Sequence, residues 1–293
     1  MVAVDLPPAA LERRSRPARA RAARPARPGR TLVLLLAAVY FLGPLAAAFW
    51  FSVHDGSGVN AHAYTQMLSA PGFTTALALS FELAAVSVAV TLALMLPTLL
   101  LVELRFRRLR GTVEVLSLFP LVIPPVVLVV GVGKVVSWGS SGDQTGLKGQ
   151  VFNQLLNSHP PLILALEYVV LALPFTHRAL AAGLRAAGVA TLVEAARNLG
   201  ASWPTVLGRV LLPTLRSSLL NAGFLAFALG FGEFTIASIL QYQPFTVWLL
   251  QFNGSDGQLS VALSLMSLLL TWALLLVLTA VAGRDPSTRR AQR

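Results

Sequence analysis

The sequence predicts an all-α integral membrane protein with six transmembrane helices, and three observations carry that prediction. Hydrophobic residues fill 55% of the 293 positions and charged residues only 12%, a balance that soluble domains of this size rarely show. Apolar stretches run over about 31–53, 75–104, 111–138, 161–182, 214–240 and 258–283. Each reaches the roughly 20 helical residues that a bilayer core requires. The basic residues collect between those stretches instead of forming one face, which argues against nucleic acid as the partner despite a formal net charge of +11.

In chain order, residues 1–30 form a basic tail rich in Arg, Pro and Ala, read as disordered and held near anionic lipid by its charge. Arg13–Arg14 begins no twin-arginine signal, because no apolar residues follow it. The first span and its outer flank occupy 31–60, and the main transmembrane domain occupies 61–283. The third stretch is kinkable at Pro120, Pro124 and Pro125, and the fourth is interrupted by Pro174. A second basic tail, 284–293, follows the last span.

Orientation follows from Lys and Arg. With the amino terminus inside, 21 of the 23 basic residues lie on the cytoplasmic side, including Arg105, Arg107, Arg108 and Arg110 between the second and third spans. Lys134 and Lys148 are the exceptions. Both termini are then cytoplasmic. Trp50, Trp138 and Trp248 fall near outer ends, where an interfacial aromatic belt would place them. Ala222, Ala226 and Gly230 put small residues four apart in the fifth span, suited to close helix packing against a neighbour or a second subunit.

Catalytic chemistry finds little support. Cysteine is absent, the four histidines are scattered, and no paired carboxylates or His-Glu-x-x-His spacing offers a metal site. No phosphate-binding Gly-x4-Gly-Lys-Ser/Thr loop occurs, because Gly133–Lys134 lacks the preceding glycine. No catalytic residue, metal or cofactor is therefore assigned to this chain.

The inner loop between the fourth and fifth spans, 191–213, carries the most information. Thr191 and Glu194 have capping-box spacing and predict a helix start there, and Gly200 supplies a left-handed stop. Ser202 is placed to cap a second short helix with Pro204 in its first turn, and Pro213 closes the segment. Small Ala195 and Ala196 alternate with larger Leu192 and Leu199, a pattern that fits a groove on a partner. It equally fits an amphipathic helix lying on the membrane surface.

The spacing Glu194-Ala195-Ala196, three residues, Gly200, nine residues, Val210, one residue, Leu212-Pro213 resembles the EAA loop of binding-protein-dependent ABC permeases. Val210 stands where that family usually has Ile. The resemblance implies a cytoplasmic coupling helix between spans 4 and 5, with Thr191, Glu194, Ala195, Ala196, Leu199, Gly200 and Pro213 contacting an ATPase. It also implies two ATP-binding cassette subunits carrying ATP and Mg, a second permease subunit, and an extracytoplasmic binding protein. Phe231-Gly232-Glu233-Phe234 resembles the fifth-span segment of polyamine, iron, thiamine and sulfate permeases.

Ionisable residues within spans are expensive and often functional. Glu82, Glu167 and Glu233 fall at similar depth, roughly 10 Å below the outer surface on a rise of about 1.5 Å per residue, with Lys134 nearby. Facing one cavity, they would form an acidic vestibule for a cation such as a polyamine. The same carboxylates could instead be packing residues, or the proton relay of a secondary transporter. Glu114, four residues after Arg110, reads as one half of a helix-surface pair.

Overall fold

The computed structural model describes residues 28–55, 58–59, 62–67, 69–141, 146–252 and 257–283. The tail expected over 1–30 lies outside this set as far as residue 27, as does the whole of 284–293. The described residues from Ala48 onward form one packed unit, and the described residues up to Ala47 another. In the latter, the described residues 28–47 belong to helix α1 (Pro28–Val53), whose leucines and aromatics are exposed.

In the packed unit, a two-residue hairpin pairs β1 (His54–Asp55) with β2 (Gly58–Val59), and α2 (His62–Met67) leads to α3 (Phe73–Leu104). There follow α4 (Arg110–Leu118), α5 (Pro125–Ser140), α6 (Leu147–Asn157), α7 (Leu162–Ala186), α8 (Val189–Asn198) and the short α9 (Trp203–Thr205). A π-helical stretch over Val206–Leu211 joins α9 to α10 (Leu212–Phe231). The chain closes with α11 (Thr235–Ile239), α12 (Phe245–Phe252) and α13 (Gly257–Gly283).

Four described helices are long and apolar enough to cross a membrane, or five when one bent pair counts as a single span. That pair corrects the expectation of one kinked helix over 111–138. Arg107–Leu121 and Pro125–Gly139 meet at 100°. Phe119–Leu121 tightens into a 3₁₀ turn, and Pro124 adopts an extended ψ of 138°. Consecutive prolines explain the break, since Pro125 disfavours helical geometry at Pro124 and neither nitrogen can donate.

Three helices form the frame: α3, α7 and α10. Lipid tails are as apolar as leucine, so close van der Waals packing and satisfied polar groups hold such helices together. Ala222, Ala226 and Gly230 are all buried, and a Cβ at Gly230 would lie 3.2 Å from the Tyr168 ring and 3.5 Å from Ala84 Cα. The small-residue stripe of α10 is thus occupied within this chain, by α3 and α7.

At one end of the frame, Leu100, Leu184, Val193, Val206 and Leu211 share a core. At the other end, Phe73, Phe245, Trp248 and Leu263 share another. Hydrogen bonds lock this second end: Phe245 N donates to Ser80 Oγ at 2.7 Å, and Trp248 Nε1 to the Pro71 carbonyl at 3.0 Å. Trp248 is 8% exposed and stacks with Phe245, so it is a core residue and not part of an aromatic belt. Trp50 and Trp138 are exposed.

Candidate functional site

The segment 189–213 is built differently from the expected closed hairpin. Helix α8 begins at Val189 behind Gly188, which takes a left-handed φ of 59°, so Thr191 lies inside the helix and does not cap it. The sharp reversal out of α7 sets this start: Ala187 N donates to the Gly183 carbonyl and Gly188 N to that of Arg185. Glycine tolerates the conformation because it has no Cβ.

The far end of α8 matches the expectation. Gly200 has a φ of 81°, its N–H donates to Arg197 O, and Ala201 N donates to Ala196 O at 3.1 Å. These two bonds make a Schellman motif, in which the residues at either end of the longer bond touch. Ala196 and Ala201 each pack against the same core. Arg197 reinforces the turn by donating to the Ala201 carbonyl at 2.9 Å, with its guanidinium 5.6 Å from the Trp203 ring.

Ser202 occupies the N-cap position, but its hydroxyl bonds no helix amide and lies instead 2.9 Å from that of Thr205. Pro213 does not close the segment. Helix continues from Trp203 through Phe231, with Pro213 in the first turn of α10 directly after the π stretch. A wider π turn is a common adjustment where a proline leaves carbonyls without donors.

Two faces of α8 result. Val189, Val193 and Ala196 turn inward and join the core made with α3, α7 and α10. Thr191, Glu194, Ala195, Asn198 and Leu199, at spacing i, i+3, i+4, i+7, i+8, form an exposed stripe, with Leu199 89% exposed. An apolar side chain so fully uncovered at a rigid turn has no role in the chain's own packing.

The membrane carboxylates occupy three distinct environments. Glu82 Oε2 sits 3.3 Å from His159 Nδ1, with its side chain 44% exposed. Glu233 turns back on its own chain: its carboxylate accepts from Ile236 N at 2.8 Å and Ala237 N at 3.1 Å, capping α11 where the helix breaks at Gly232. The Glu233 carbonyl accepts from Thr246 Oγ1 at 2.6 Å. Glu167 is 3% exposed, and neither of its oxygens has a hydrogen-bond partner among the described residues. It lies within electrostatic range of Glu233. Lys134 is exposed on α5.

Sequence reasoning missed the capping role of Glu233, although a carboxylate three residues ahead of a helical amide was the available signal. It also missed a small cleft that Arg110 and Glu114 border together with Glu103, His177 and Arg185.

The profile of the family described as "Binding-protein-dependent transport system inner membrane component" matches residues 85–284. Among curated relatives, the molybdenum transport system permease protein ModB of Mycobacterium bovis is 31% identical, over 75% of this chain and 83% of its own length. The ModB of Mycobacterium tuberculosis matches with the same identity and coverage.

Proposed function

Because the chain belongs to the family of binding-protein-dependent ABC transporter permeases, we propose that it forms the translocation path of an ATP-driven importer and is driven through the exposed stripe of α8. The single observation that carries this reading is the two-sided construction of α8. Its outer stripe is free for a partner, while its inner face shares one core with α3, α7 and α10. Force applied to Glu194, Ala195 and Leu199 would therefore pass into the three frame helices. Interiors packed this tightly shift between discrete arrangements and deform little, which suits alternating access.

In this reading the chain crosses the membrane six times, with the bent α4–α5 pair as one span and α13 as the last. Both termini and α8 face the cytoplasm, as the distribution of basic residues favours. The chain is not itself an enzyme. Two ATPase subunits bind ATP and Mg, a second permease chain completes the path, and an external binding protein delivers the solute.

Relatedness to molybdenum permeases favours a molybdenum-type oxyanion as the solute, and the polyamine expectation finds no support among the relatives. The carboxylates fit that change. Glu233 is engaged as a helix cap and Glu82 sits against His159, which leaves Glu167 as the carboxylate that a path role would have to involve.

The test is uptake by proteoliposomes holding this chain with its ATPase and binding protein. Accumulation of radiolabelled molybdate that requires ATP, and is absent for putrescine, is the expected result. Accumulation at full rate without the ATPase would overturn the coupling reading. Putrescine uptake in place of molybdate would overturn only the choice of solute.

A further inference from the structure

Beside α8 lies an apolar groove of about 620 Å³, bordered on the α8 side by Ala190, Val193 and Glu194. One wall is the last part of α3, from Pro97 through Leu101 to Leu104, and the other is Trp203 and Leu207 at the root of α10. Arg105 and Arg107 stand at its mouth. Leu101 is 55% exposed, Trp203 49% and Leu207 38%, so these groups are left uncovered by the chain itself.

We infer that the groove holds an anionic phospholipid, with an acyl chain along the α3 wall and the headgroup phosphate at Arg105 and Arg107. The inference rests on the membrane placement of α3 and is independent of the ATPase and of the solute.

Three features select this occupant. The first is depth. From Leu104 back to Pro97 the helix covers about 10 Å at 1.5 Å per residue, so the groove extends from the basic turn well into the apolar span. A protein docking from the aqueous side would meet the mouth but not that inner wall. The second is charge. Arg105, Arg107 and the adjacent Arg108 are exposed, and the Arg107 Nε bond to the Glu103 carbonyl at 3.2 Å holds its guanidinium at the rim. Guanidinium forks match phosphate oxygens well. The third is Trp203, which lines the groove while staying 49% exposed, a residue that favours the headgroup region. Glu194 borders the opposite wall, and its charge directs the phosphate toward the α3 side.

The test uses the complex with its ATPase in nanodiscs, doped with phosphatidylglycerol or phosphatidylcholine carrying a photoactivatable acyl chain. After irradiation, peptides are mapped by mass spectrometry. Phosphatidylglycerol should label the peptides spanning 97–104 and 203–211 with a preference on the order of ten-fold over phosphatidylcholine. The double variant Arg105→Gln, Arg107→Gln should erase that preference. Leu101→Trp, which fills the groove, should reduce labelling by both lipids. Equal labelling by the two lipids, a preference that survives the double substitution, or no labelling of the 97–104 and 203–211 peptides by either lipid would each overturn the inference. None of these readouts needs uptake or ATP hydrolysis, so their failure leaves the transport reading standing, and the reverse also holds.

Discussion

Gly183 on α7 and Ser218 on α10 approach so closely that a Cβ on the glycine would coincide with the serine hydroxyl. This contact sits beside the reversal that launches α8, where Gly183 also accepts a hydrogen bond from Ala187 N. The two frame helices are thus in near backbone contact at the point where the exposed stripe is mounted.

Gly183→Ala should therefore destabilise the protein by about 1–3 kcal/mol, the usual cost of forcing atoms into a packed interior. Thermal unfolding in detergent, followed by tryptophan fluorescence, gives the readout. Adding Ser218→Gly should restore part of the loss, because both obstructing atoms then disappear. An unchanged melting temperature in the single variant would mean that α7 and α10 are not this close.

Glu233→Ala should cost about 1–2 kcal/mol, because two amides of α11 lose their acceptor within the bundle. Glu233→Gln keeps one acceptor oxygen and should cost less. If the role is to cap, solute uptake by the Gln variant stays near the parent value. A Gln variant with parental stability but altered solute preference would instead place Glu233 on the path.

Trp248 and Trp272 should separate cleanly. Trp248 is buried and bonded to Pro71, whereas Trp272 is 62% exposed. Trp248→Ala should cost about 3–5 kcal/mol. Trp272→Ala should stay within about 0.5 kcal/mol of the parent. Trp248→Phe keeps an aromatic ring but strands the Pro71 carbonyl, for an intermediate loss of about 1–3 kcal/mol. Equal melting temperatures for all three would return Trp248 to the membrane interface.

Leu199→Asp should leave stability within about 0.5 kcal/mol of the parent, since the side chain is 89% exposed. The same change should abolish co-purification with the ATPase. Gly200→Ala acts through the backbone instead: its φ of 81° would cost alanine about 1–2 kcal/mol. Retention of the ATPase by Leu199→Asp would show that the stripe is not the docking face.

The position of α8 and its glycine stop were legible in the sequence. The Glu-Ala-Ala…Gly spacing located α8, and Gly200 ended it as expected because a left-handed stop is a local property of glycine. The alanines beside it were less legible: Ala195 faces out and Ala196 faces the core, a difference of one residue that sequence pattern alone did not resolve. The true helix start at Gly188 depends on the reversal after α7, which local cap spacing at Thr191 could not reveal.

By itself, the sequence determined that the chain is helical and apolar enough for a membrane, where its basic loops lie, and which family it joins. These are local quantities: hydropathy over some 20 residues, or a motif with fixed spacing. The tertiary structure decided that Trp248 is buried, that the alanine stripe of α10 meets α3 and α7, that Glu233 caps α11, and that α4 and α5 break at 100°. A helix that is apolar on every side carries no amphipathic signal to say which face is covered, so its neighbours alone settle the question.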